Sequence, residues 1–83
     1  MRERKWFSIP LRAGEADTCQ SALASVGFVL HASEYTDESG RVVRLTSPAV
    51  HIGIPPSDTV SEQEQLEFIV GLLGLDEDTI EAL

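Results

Sequence analysis

The 83-residue chain carries 14 acidic against 6 basic residues, a net charge of −8 at pH 7, and 42% hydrophobic residues. That hydrophobic share excludes a chain disordered by composition, and the length suits one domain with a small core. The acidity argues against direct nucleic-acid binding, which needs Lys and Arg for the phosphates.

No apolar run approaches the roughly 20 residues of a membrane span, so no membrane association is expected. Met1 to Lys5 lead into no apolar core of the signal-peptide type, and Cys19 is the only cysteine. Both features fit a cytoplasmic protein in a reducing compartment.

In chain order, Lys5–Leu11 alternates Phe7, Ile9 and Leu11 with Trp6, Ser8 and Pro10, the period of a strand. From Gly14 to Val26 the period becomes helical, with Ala16, Cys19, Leu23 and Val26 on one stripe. Cys19 belongs to that stripe and reads as a buried small hydrophobe. Gly27 stands where a helix-ending glycine belongs. Phe28–Thr36, Arg41–Thr46 and Ala49–Ile54 then read as three successive strands. Asp37-Glu38-Ser39-Gly40 and Ser47-Pro48 join them as turns.

Parity divides the sheet into two faces. Phe28, Leu30, Ala32, Val43, Leu45, Val50, Ile52 and Ile54 form an apolar side. Trp6, Ser8, His31, Tyr35, Val42, Arg44 and His51 fall on the other. After the rigid Pro55-Pro56-Ser57 connector, Ser61-Glu62-Gln63-Glu64 is a capping box opening a second helix that stops at Gly74. Leu66, Ile69, Val70 and Leu73 are its core stripe. Phe68 and Leu72 widen the apolar arc to roughly 200°, more than one sheet contact requires. They are therefore an apolar interface, either with a short final helix, Asp76–Leu83, or with another chain.

The expected fold is α+β, a single domain over residues 1–83. Its four-stranded, mostly antiparallel sheet follows the order β-α-β-β-β-α. Both helices cover one face, and a short C-terminal helix follows. The opposite face stays open and presents Trp6, His31, Tyr35, Arg44 and His51, residue types enriched at binding surfaces.

No catalytic constellation emerges, and the chain is not expected to be an enzyme. His31 and His51 could approach across the sheet, but two histidines are too few for a metal site. Glu34 has the wrong parity to join His31, and no carboxylate is found to orient a Ser-His pair. No glycine-rich phosphate loop is present, so neither cofactor nor metal is expected.

The charge is unevenly placed. Residues 45–83 hold no Lys or Arg but eight acids: Asp58, Glu62, Glu64, Glu67, Asp76, Glu77, Asp78 and Glu81. That acidic surface suits a protein partner with a basic surface. In size and charge the chain resembles small phage inhibitors of restriction or CRISPR complexes. The resemblance implies an anti-CRISPR-like or anti-restriction-like inhibitor that mimics nucleic acid on a nucleic-acid-handling complex. The run from "ALASVGFVL" into "SGRVVRLTSPAVHIGI" also resembles one βαβββ module of the glyoxalase and bleomycin-resistance proteins. That alternative implies a homodimer with a small-molecule cup lined by His31, Tyr35 and His51, with His51 on a ligand-bearing strand. A third reading is an accessory subunit docking through Phe68 and Leu72.

Overall fold

The computed structural model describes residues 4–12, 14–46 and 48–83. Arg2, Glu3 and Ser47 of the predicted Ser47-Pro48 turn lie outside them. The elements are β1 (Lys5–Pro10), α1 (Glu15–Ser25), β2 (Val29–His31), β3 (Glu34–Thr36), β4 (Val42–Thr46), β5 (Ala49–Ile54) and α2 (Glu62–Leu73). A 3-10 turn (Glu77–Thr79) and β6 (Glu81–Ala82) follow. The protein is a small α+β fold with two helices and one antiparallel sheet, but that sheet has six strands, in the order β2-β3-β4-β5-β1-β6.

Two local events account for the extra strands. The predicted strand Phe28–Thr36 folds back on itself as the β2–β3 hairpin, with His31 opposite Glu34. Its two turn residues, Ala32 and Ser33, have φ of 51° and 73°. Such a pair of left-handed residues matches the twist of a two-residue hairpin, though Gly and Asn are the usual occupants. The predicted final helix is instead the 3-10 turn followed by β6, which pairs with β1. Asp76 starts that turn by accepting a hydrogen bond from the Asp78 amide at 3.0 Å.

Both helices end as the glycines foretell. Gly27 and Gly74 have φ of 95° and 70°, and the residue after each donates back into its helix. The Phe28 amide bonds the Leu23 carbonyl at 3.0 Å, and Leu75 bonds Val70 at 3.2 Å. These are Schellman closures, each with apolar residues at both ends of the bond. At the start of α2 the Ser61 hydroxyl accepts from the Glu64 amide at 3.1 Å.

One core joins the two helices to one side of the sheet. Ile9, Val43, Val50, Ile52 and Ile54 from the strands meet Cys19 and Leu23 of α1 and Leu66, Ile69, Val70 and Leu73 of α2. Burying a side chain of this size stabilises by about 1.5–3 kcal/mol relative to exposure. Cys19 is buried as its stripe position implies, its Sγ 3.9 Å from the Leu73 carbonyl. Burial pushes its thiol pKa up, with Glu15 adding to the effect, so the reactive thiolate is disfavoured.

The Asp37–Gly40 loop is tied down by charge. Asp37 accepts from the Ser39 and Arg41 amides at 3.0 and 2.9 Å, and from Arg41 Nε at 2.6 Å. The Arg41 guanidinium in turn lies 4.9 Å from the Phe68 ring centre and 5.9 Å from that of Phe28. One arginine therefore links the β3–β4 loop to α2 through cation–π contacts.

Candidate functional site

The side of the sheet away from the core is built by alternation. In β1, Phe7 and Ile9 pair with Ile52 and Val50, so Trp6 and Ser8 point the other way. Trp6 pairs with Gly53, and the missing side chain there matters: a Cβ on Gly53 would lie 2.9 Å from the indole. The indole thus rests directly on the β5 backbone, a close approach only glycine permits. The Arg44 guanidinium lies over the indole at 4.5 Å from the ring centre. Glu34 of β3 forms an ion pair with Arg44 and holds it there. Val42 is the register partner of Gly53 and only 5% exposed, yet it is not part of the core cluster. Trp6 and Arg44 therefore make a small ordered island on this face.

The other predicted members of the face are dispersed. Tyr35 is a correction: it pairs with Val43 and packs against the core, on the helix side. The turn at Ala32 and Ser33 resets the alternation, so parity counted from Phe28 no longer holds beyond it. The same reset puts Glu34 directly opposite His31, which parity had kept apart. His31 and His51 do not meet, because β3 and β4 lie between their strands, a separation of about 14 Å at the usual strand spacing. His51 pairs with Arg44 and lies 3.3 Å from the Thr46 hydroxyl through Nδ1. A cup of His31, Tyr35 and His51 is accordingly not formed within this chain. Among the described residues, no group of three His, Cys, Asp or Glu side chains could hold a metal ion. No helix among them is long and apolar enough to cross a membrane.

Two hollows flank the indole. One, about 380 Å³, is lined by Trp6, Arg44, His51 and Leu83. The other, about 760 Å³, runs between the start of β1, the Pro55-Pro56 connector and the first turn of α2. Arg4, Lys5, Trp6, Pro56, Glu62 and Leu83 line it among others. The sequence reading missed this groove. Its signals were the paired prolines and the basic residues just before Trp6, but only the placement of β1 beside β5 brings them together.

The eight acidic residues of 45–83 are all exposed but fall into separate groups. Glu64 and Glu67 lie on the outer side of α2, while Asp76, Glu77 and Asp78 belong to the 3-10 turn. Glu81 faces Ser8 on the open side of the sheet. Glu62 lies 4.0 Å from Lys5, and Asp58 belongs to the connector before α2. Phe68 is 49% exposed on α2, beneath Arg41. Leu72 packs partly against the core, so the two residues do not form one patch.

Compared with known protein families, with curated proteins and with solved structures, the chain matches none.

Proposed function

We propose that this is a non-enzymatic binding protein whose acidic helix α2 docks on a basic protein surface. The observation that supports this reading is the outward face of α2. At 100° per residue, Glu64, Glu67, Phe68 and Gly71 fall within one arc of about 100°, opposite the buried Leu66, Ile69, Val70 and Leu73. All four are exposed. Phe68 supplies an aromatic anchor and the glutamates supply complementary charge. Gly71 has open space where its side chain would be, so nothing within the protein requires a glycine there. Beside Phe68 it lets a partner approach the helix backbone closely.

Carboxylates along a helix also suit a surface that normally holds nucleic-acid phosphates. The proposed partner is accordingly a basic protein of a nucleic-acid-handling complex, and the protein acts on it as an inhibitor. The test compares immobilised wild type with a Glu64→Gln/Glu67→Gln variant and with Phe68→Ala in lysate, at low and high salt. The expected result is a basic protein retained by wild type, displaced by heparin and by salt, and depleted at least tenfold by either variant. Equal retention by wild type and both variants removes the proposal.

A further inference from the structure

The groove of about 760 Å³ beside Trp6 lies away from the α2 face and has a different chemistry. Its volume is within the range of about 300–1,000 Å³ typical of small-molecule sites. The apolar lining is rigid. Trp6 lies against the Gly53 backbone, and the Arg44 guanidinium packs on its ring. Pro55 and Pro56 have fixed backbones, Ile54 is buried, and Leu83 is anchored by its amide to the Trp6 carbonyl at 2.9 Å. Leu83 is nonetheless 72% exposed and lines the groove.

The polar lining is unusual for so acidic a chain. Two of its six basic residues, Arg4 and Lys5, are here. Arg4 Nε donates to the Gly40 carbonyl at 3.0 Å, which fixes the guanidinium at the groove. Glu62 lines the groove too, 4.0 Å from Lys5, and offsets one of the two cations. Among the described side chains that line the groove, the charged ones are thus two cations and one carboxylate beside an apolar slot. Charges more distant than about 8 Å are largely screened at physiological ionic strength, so the local balance governs what binds.

We propose that the groove between β1, Pro55-Pro56 and Leu83 binds a small amphipathic monocarboxylate, its apolar body on Trp6 and Leu83 and its carboxylate on Arg4 and Lys5. Arg4 is the stronger candidate, since its planar fork matches a carboxylate.

Trp6 is the only tryptophan, so its emission reports on this groove in the intact protein. The probes are decanoate, decanol and decyltrimethylammonium, titrated below their aggregation thresholds. Decanoate should shift Trp6 emission saturably, with an affinity at least tenfold above that of decanol and with no response to the cation. Arg4→Gln/Lys5→Gln should abolish the preference for decanoate over decanol. Leu83→Glu, at an exposed position, should weaken decanoate at least tenfold without altering the far-ultraviolet circular dichroism. This second variant decides the matter if the first does not fold. Equal affinity for decanoate and decanol, preference for the cation, absence of any saturable response, or an unchanged preference in the charge variants would each overturn the proposal.

Discussion

Ala32 and Ser33 each take a conformation that L-residues avoid, with φ of 51° and 73°. The left-handed region costs a residue with a Cβ roughly 1–2 kcal/mol relative to glycine. The hairpin is retained because His31 and Glu34 pair across the turn and Glu34 is then held by Arg44. Ser33→Gly should therefore raise stability by about 1 kcal/mol, offset in part by the entropy of a freer unfolded chain. Chemical denaturation would show this as a higher midpoint at unchanged slope; a lower midpoint would mean that the turn is not left-handed. Gly53 is the opposite case, a residue needed for its lack of a side chain. Trp6 was legible as an outward-facing aromatic, but its seat on Gly53 was not, because cross-strand register is not written in either strand alone.

At the scale of elements, α2 is the most legible part of the chain. Ser61, the core stripe and Gly74 mark its start, buried side and end, and all three signals act within a few residues. Its one local inconsistency is Gly71 on the exposed side. Gly71→Ala should stabilise the protein by about 0.5–1 kcal/mol, since alanine is the better helix former and nothing lies within 4 Å of the added methyl. A thermal melt measures the gain, and the same variant should bind the basic partner less well. A variant that gained stability and kept full binding would leave Gly71 without a role in docking. The β2 strand is the least legible element: Val29 and Leu30 are 64% and 57% exposed at the sheet edge. Leu30 is expected on the apolar face with Phe28, yet among the described residues no strand lies beyond β2 in the sheet.

Across the whole molecule the acidic excess is spread over α2, the 3-10 turn and the connector, and the chain keeps a net charge of −8. Arg41 is committed to Asp37 and Arg44 to Glu34. Like-charge repulsion should then oppose the compact state, and salt should relieve it. Raising sodium chloride from about 10 mM to about 0.5 M, where the screening length is only a few ångströms, should raise the melting temperature. A fall would mean that the ion pairs of Arg41 and Arg44 outweigh the repulsion.

The sequence alone determined the two helices, their glycine stops, the core faces of β1, β4 and β5, and the asymmetry of charge. Each depends on neighbours within a turn of helix or along one strand, where periods of 3.6 and 2 are visible directly. Tertiary structure decided the rest. The Ala32-Ser33 reversal lacks a glycine or asparagine signal and is imposed by the pairing of β2 with β3 and β3 with β4. β6 has only two residues and is defined by the β1 edge it meets. The Trp6 groove exists because β1 inserts between β5 and β6, a choice made by packing between segments about 40 residues or more apart in sequence. Local patterns specify elements. Sites assembled from several elements depend on long-range register, which no single stretch of this chain encodes.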